Sequence, residues 1–116
     1  MEPLHLTTNR QGAKVIVHVS GELDIATTSV LHDHLLDILR ETSNGHRKID
    51  EVVMELSGLS FIDAAGLGAL VSIQDHARRN AIPLLLSGVP PQIDRLLLIT
   101  GLNRQFPTGA PPYKPL

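Results

Sequence analysis

Cysteine and tryptophan are absent from the 116-residue chain, and Phe61, Phe106 and Tyr113 are its only phenylalanine and tyrosine residues. Without cysteine the chain has no disulfide, no thiolate metal ligand and no cysteine nucleophile. Three scattered aromatic rings provide no platform on which single-stranded bases would stack. The net charge of −2, with Lys and Arg dispersed along the chain, excludes the basic stripe typical of nucleic-acid binding. We therefore expect no nucleic-acid partner.

Long apolar runs are also missing. The longest stretches, such as Leu96–Ile99, are far shorter than the roughly 20 residues that a membrane-spanning helix needs. The N-terminal residues Met1–His5 lack the basic and apolar regions of a signal peptide. These features predict a cytoplasmic protein that makes no membrane contact.

No residue pattern is typical of a metal centre or of catalysis. The six histidines include no pair four residues apart, and His32 and His34 are predicted to lie on different faces of a helix. A Gly-x-Ser-x-Gly motif is missing, and residues 58–68 lack the Lys-Ser/Thr ending of a phosphate-binding loop. Asp24 and Asp63 can be interpreted as an acid–base pair, but a helix cap and a contact residue are the simpler interpretation. We expect neither catalysis nor a cofactor.

Length and composition indicate one globular domain. Hydrophobic residues make up 42% of the chain and charged residues 19%, which is typical of a folded protein and not of a disordered one. We predict a single domain over residues 1–109. A flexible proline-rich tail is predicted over residues 110–116, which contain Pro111, Pro112 and Pro115.

Hydrophobic periodicity predicts the order β-β-α-β-α-β-α, with a short edge strand near Gln105-Phe106. Alternating and β-branched residues predict strands near 4–9, 14–20, 52–56 and 83–87. Helical spacing predicts helices from about Thr27 to Asn44-Gly45, from Ala64 to Asn80 and from Pro90-Pro91 to Gly101. The predicted inner faces of these helices are apolar apart from Gln74 and Thr100: Val30, Leu31, Leu35, Ile38, Leu39; Leu67, Leu70, Val71, Gln74, Ala77; Ile93, Leu96, Leu97, Thr100. Alternating strands and helices indicate an α/β fold in which helices pack on a mixed sheet.

The segment between the third predicted strand and the second helix combines a capping residue with small side chains. Asp63 is placed to cap the helix, and Ala64, Ala65, Gly66 and Gly68 follow it with almost no side-chain bulk. Each glycine costs a helix roughly 1 kcal/mol relative to alanine, so a specific reason for both is expected. Either the small residues form an accessible platform for another protein, or they let the helix lie close to the sheet. The spacing alone leaves both interpretations open.

The sequence resembles the STAS domain, the fold of bacterial anti-sigma factor antagonists. The resemblance rests on the loop Ser20-Gly21-Glu22-Leu23-Asp24, on residues 52–63, on Gly66-Leu67-Gly68-Ala69-Leu70 and on Ile99-Thr100-Gly101-Leu102. These segments occur in the order of the family and span about residues 4 to 107. The resemblance implies a STAS-like α/β fold with the mixed sheet described above.

The resemblance also implies a partner. In the family, the Gly-Glu-Leu-Asp loop and the turn after the third strand form one surface, which binds an anti-sigma factor. In the regulated systems that factor is also a kinase, so the expected partner is an anti-sigma factor with a serine-kinase-like ATPase fold. Phosphorylation of a serine at the position of Ala65 ends the binding, whereas this chain has no hydroxyl at Ala64 or at Ala65. We therefore expect a constitutive or differently controlled antagonist. The expected partner-binding residues are Glu22, Asp24, Thr27, Ile62, Asp63, Ala64, Ala65, Gly66, Leu67 and Gly68.

Several alternatives stay open at this point. Asp24 either anchors the partner or caps a turn, and Thr27, Thr28 and Ser29 are either alternative phosphoacceptors or helix caps. The second hypothesis for function is a scaffold or accessory STAS subunit of a larger sensory or transport complex. Whether the chain forms a homodimer is also open.

Overall fold

The strands of the protein form one mixed sheet in the order β1-β2-β3-β4. A computed structural model describes residues 3–43 and 49–106. Strand β1 pairs antiparallel with β2, whereas β2 with β3 and β3 with β4 are parallel pairs. The strands are β1 (His5–Gln11), β2 (Lys14–Leu23), β3 (Glu51–Ile62) and β4 (Leu84–Ser87). Because parallel neighbours require crossover connections, a helix lies between each pair of consecutive parallel strands.

The helices confirm the predicted order of elements. They are α1 (Thr28–Ser43), α2 (Ala64–Arg79) and α3 (Pro91–Thr100). The predicted edge strand near Gln105-Phe106 is wrong, because a 3-10 helix occupies Leu102–Gln105. Gly101 ends α3 in the left-handed conformation, with φ of 77°, so the chain turns at once and buries Phe106 in the core.

The core lies between one face of the sheet and the helices. Val15, Val17 and Val19 alternate along β2 and are buried, as the period of a strand requires. The predicted inner faces are correct for most positions, but Val30, Leu96 and Thr100 are exposed, and Leu67 and Val71 are only partly buried. These side chains lie at the margins of their stripes, where the sequence does not fix the rotation of the helix.

The inner face of α2 contains two residues whose roles the structure defines. Ile73, which the prediction omitted, is fully buried. Gln74, the polar member, is buried as well and its side-chain amide donates to the carbonyl oxygens of Leu84 (3.4 Å) and Gln105 (2.6 Å). The amide nitrogen thus has an acceptor for each of its two hydrogens, and Gln74 fastens the 3-10 helix to α2 and to the start of β4.

Strands β2 and β3 are longer than predicted. Residues 20–24 and 57–62 contain glycine and serine and lie outside the predicted strand cores, but β2 continues to Leu23 and β3 to Ile62. Two register shifts between these strands absorb extra residues of β3, and the Ser60 hydroxyl donates to the Gly21 carbonyl oxygen at 3.0 Å. Leu23 therefore pairs with Ile62, and the turns that follow β2 and β3 lie side by side.

Two predictions fall outside the described residues, namely the helix stop at Asn44-Gly45 and the tail at 110–116. Within residues 3–43 and 49–106, none of the helices combines the length and the apolar character that crossing a bilayer would require.

Candidate functional site

The carboxyl ends of β2 and β3 place two chain segments next to each other at one edge of the sheet. These are the turn of residues 24–27, which leads into α1, and the start of α2 at residues 63–68. In α/β sheets, the carboxyl edge of the parallel strands is where binding sites most often form. The candidate site is therefore built from these two segments.

Asp63 makes three hydrogen bonds, to the start of α2, to the turn of residues 24–27 and to the end of β2. Its Oδ1 accepts from the Gly66 backbone N–H at 2.9 Å, which confirms the predicted N-cap of α2. Its Oδ2 accepts from the backbone N–H of Ile25 at 3.3 Å, and its own N–H donates to the Leu23 carbonyl oxygen at 3.3 Å. One carboxylate thus fixes the turn after β2 relative to the start of α2.

The turn of residues 24–27 is held by its own polar side chains. Asp24 is only 8% exposed, and its Oδ1 accepts from the backbone N–H of Ala26 at 3.0 Å. The Thr27 hydroxyl donates to the Glu22 carbonyl oxygen at 2.9 Å and accepts from the Asp24 backbone N–H at 3.0 Å. These contacts favour the turn-capping alternative for Asp24, while a direct contact with a partner stays a prediction.

The two glycines of α2 differ in what surrounds them. A Cβ atom on Gly66 would lie 2.5 Å from the Leu23 carbonyl oxygen and 2.7 Å from Cγ1 of Ile62, so glycine is required for the helix to approach β2. Apart from its chain neighbours and the adjacent backbone of α2, a Cβ atom on Gly68 would meet no described atom within 4 Å. Close packing therefore explains Gly66, whereas it does not explain Gly68.

Small and apolar side chains are exposed around these segments. Ala64 and Gly68 are exposed and Ala65 is partly exposed, and their spacing places them on one face of α2. Next to them, Ile25 is 79% exposed and Phe61 is 48% exposed. We call the surface formed by Ile25, Phe61, Ala64, Ala65 and Gly68 the edge surface.

A shallow groove of about 240 Å³ runs between α1 and α2 beside the edge surface. Its walls are formed by Thr28, Ser29, His32 and Asp33 on α1 and by Ala65 and Ala69 on α2. Nε2 of His32 lies 3.2 Å from the Ser72 hydroxyl, and its ring contacts that of His76 edge to face with centroids 5.6 Å apart. Over residues 3–43 and 49–106, no group of three or more His, Asp or Glu side chains could hold a metal ion.

The structure brings the predicted partner-binding residues to this edge but gives them different exposure. Ile62, Asp24 and Gly66 are buried, whereas Glu22, Thr27, Asp63, Ala65 and Leu67 are partly exposed and Ala64 and Gly68 are exposed. Ile25 was not among the residues predicted from the sequence. The feature that could have indicated it is a β-branched apolar residue directly after a turn-forming aspartate, where a polar residue is the norm.

Comparison with known proteins gives a consistent set of relatives. The model of the STAS domain family matches residues 5–112. The "Anti-sigma-B factor antagonist" of Staphylococcus aureus is 30% identical over 100 residues, which cover 86% of this chain and 87% of that protein.

Solved structures with similar folds agree. An anti-sigma factor antagonist from Mycobacterium paratuberculosis superposes with a TM-score of 0.73 at 21% identity, covering 90% of this chain and 84% of that one. The Bacillus protein SpoIIAA in its phosphorylated form gives a TM-score of 0.68 at 15% identity, covering 92% of this chain and 93% of that one. At these identities the likeness establishes the fold alone.

Proposed function

Since the chain belongs to the STAS domain family, we propose that it is an anti-sigma factor antagonist. It binds an anti-sigma factor through the edge surface and so releases a sigma factor for transcription. The observation that carries the proposal is the pair of hydrogen bonds by which Asp63 joins the turn of residues 24–27 to the start of α2. On this proposal the protein acts by binding, not by catalysis.

The exposed side chains of the edge surface suit close contact with another protein. Ala64, Ala65 and Gly68 let a partner backbone approach the first turns of α2. Ile25 and Phe61 add exposed apolar area, which a docked partner would bury on binding. Aromatic residues such as Phe61 are enriched at the cores of protein interfaces relative to the rest of a protein surface.

The charges around the edge surface define the partner's side of the contact. Residues 22–33 and 61–69 include Glu22, Asp24, Asp33 and Asp63 but neither lysine nor arginine. The Asp33 side chain is 80% exposed. We infer that the anti-sigma factor contacts Ile25 and Phe61 through apolar pockets and places no basic side chain beside the first turns of α1 and α2. A further negative charge there would be repelled by these carboxylates and left without a partner.

The buried members of the predicted site have a supporting role in this proposal. Ile62, Asp24 and Gly66 offer a partner almost no surface. Ile62 and Gly66 set the distance between β3 and α2, and Asp24 shapes the turn that exposes Ile25. Their substitution would weaken binding through the shape of the edge surface.

In this chain, binding cannot be controlled by phosphorylation at position 65, which is the control that the family resemblance implies. Ala64 and Ala65 have no hydroxyl to phosphorylate, so the start of α2 stays uncharged at both positions. SpoIIAA, a structural neighbour, exists in phosphorylated and unphosphorylated forms. We propose a partner with a serine-kinase-like ATPase fold whose action on residue 65 is blocked.

Substitution of Ala65 by aspartate tests the proposed interface. A charge buried there without a partner should weaken binding of the anti-sigma factor by about 3 kcal/mol, roughly a hundredfold. The neutral isostere Ala65→Asn is the control for size and should bind at least tenfold more tightly than Ala65→Asp, by roughly 1.4 kcal/mol. Calorimetry with the factor captured from the native cell measures both. Equal affinity of Ala65→Asp and the unaltered protein would rule out the edge surface.

A scaffold or accessory subunit is the second candidate. It is favoured by α3, which exposes Leu98 (66%) and Ile99 (72%) away from the edge surface. A contact through α3 would serve assembly or a homodimer. Size-exclusion chromatography of Leu98→Ser against the unaltered protein separates the two candidates, because only an assembly formed through α3 would dissociate.

A further inference from the structure

Three hydroxyl residues lie where the turn of residues 24–27 meets α1, and the structure separates them. The Thr27 hydroxyl is engaged with Glu22 and Asp24, so modifying it would break the turn. Thr28 is partly buried. Ser29 is exposed, and its hydroxyl makes no hydrogen bond to any residue in the ranges 3–43 and 49–106. Thr28 lines the same groove, but Ser29 is the most exposed of the three and takes no part in holding the turn.

Ser29 faces the same groove as Ala65. The groove has Ser29 on the α1 side and Ala65 and Ala69 on the α2 side. A protein docked on the edge surface covers Ala65 and thus comes within reach of Ser29. The groove therefore has a free hydroxyl, that of Ser29, on its α1 side, whereas Ala64 and Ala65 at the start of α2 have none.

We propose that Ser29 is a phosphorylation site that controls binding at the edge surface, an inference that rests on the proposed function. In the reaction, Oγ of Ser29 attacks the γ-phosphorus of ATP bound to a serine kinase. The new P–O bond forms as the bond from the γ-phosphorus to the bridging oxygen breaks. ADP leaves, and the hydroxyl proton passes to a base of the kinase.

The added charge has different consequences for the fold and for the interface. A phosphoserine carries about −1.5 to −2 charges, and the first turn of a helix tolerates an anion. Ser29 is the second residue of α1, so the helix itself should persist. On the groove side the phosphate lies four residues before exposed Asp33 and opposite two alanines. His32 is the only residue with a basic side chain among those that line the described groove, so the phosphate makes an already acidic surface more negative.

Transfer of phosphate from ATP is the first test. The full chain is incubated with its anti-sigma factor and Mg·ATP, and the modified peptide is identified by mass spectrometry. We expect phosphate on Ser29, its loss in Ser29→Ala and its retention in the neighbouring control Thr28→Ala. Absence of phosphate, or phosphate at another residue in the unaltered protein, overturns the inference.

Binding of charged and neutral variants is the second test. Ser29→Asp should bind the anti-sigma factor roughly tenfold more weakly than the isosteric control Ser29→Asn, because only the former adds a charge. Equal affinities of the two variants overturn the inference and leave the proposed function intact. Failure of the unaltered protein to bind any anti-sigma factor instead contradicts the proposed function itself.

Discussion

Helices α2 and α3 begin at the same edge of the sheet, each after a parallel strand, yet their first turns are built differently. The start of α2 is capped by the Asp63 carboxylate, which also holds the backbone of Ile25. The start of α3 follows Pro90 with Pro91 at its first position, and no side chain of a described residue caps it. Proline presets the backbone angle of a first turn, so α3 starts without further help.

The side chains of the two helices differ as well. The first five residues of α2 include three with no side chain beyond Cβ on the exposed face, namely Ala64, Ala65 and Gly68. Of its two glycines, close packing requires Gly66 alone. Folding therefore accounts for the start of α3 and for Gly66, whereas no packing contact requires glycine at position 68. We attribute Gly68 to binding.

Gly66→Ala should have the largest effect on stability. Its new methyl group would meet the Leu23 carbonyl oxygen and Ile62, and overpacking of this kind costs about 3 kcal/mol. Urea unfolding measures the loss. An unchanged free energy of unfolding would mean that α2 can move away from β2, and the contrast between the two glycines would fail.

Asp63→Ala should have the next largest effect. Loss of the cap and of the bond to Ile25 should lower the free energy of unfolding by about 1.5 kcal/mol. The matched control is Asp94→Ala in the first turn of α3, an exposed acid worth only about 0.5 kcal/mol through the helix dipole. Equal losses in thermal or urea unfolding would show that the two helix starts do not differ in this respect.

Gly68→Ala should have the smallest effect and the opposite sign. No described atom obstructs the new methyl group, so the better helix propensity of alanine should stabilise the protein by about 1 kcal/mol. Affinity for the anti-sigma factor should fall at the same time, because the methyl group lies on the edge surface. A variant that is more stable and binds as well as the unaltered protein would show that Gly68 makes no contact.

Periodicity was sufficient to predict the order of elements, because apolar residues at strand or helix spacing must face a core. It was not sufficient for the strand ends, since Gly21 and Ser60 are typical of loops until the register shifts between β2 and β3 are known. The same limit applies to the site. Gly66 and Gly68 are the same residue type and lie two positions apart. Only the distance from a Cβ atom at each position to Leu23 distinguishes them.

The hydrogen bonds of the site were only partly predictable. The cap by Asp63 follows from local sequence, because a capping residue and its amide partner are close along the chain. Its second bond, to Ile25, joins residues that pairing of β2 with β3 brings together, and no local pattern indicates it. Sequence could therefore name the first turn of α2 but not the apolar neighbour that completes the edge surface.

Mapping the contact in solution decides whether the anti-sigma factor docks on the edge surface. Amide chemical shifts of the ¹⁵N-labelled protein are recorded as the anti-sigma factor is added. We predict the largest changes at Ile25, Ala65 and Gly68, with Leu98 and Ile99 on α3 unaltered. Changes concentrated on α3, with the edge surface unaffected, would contradict it.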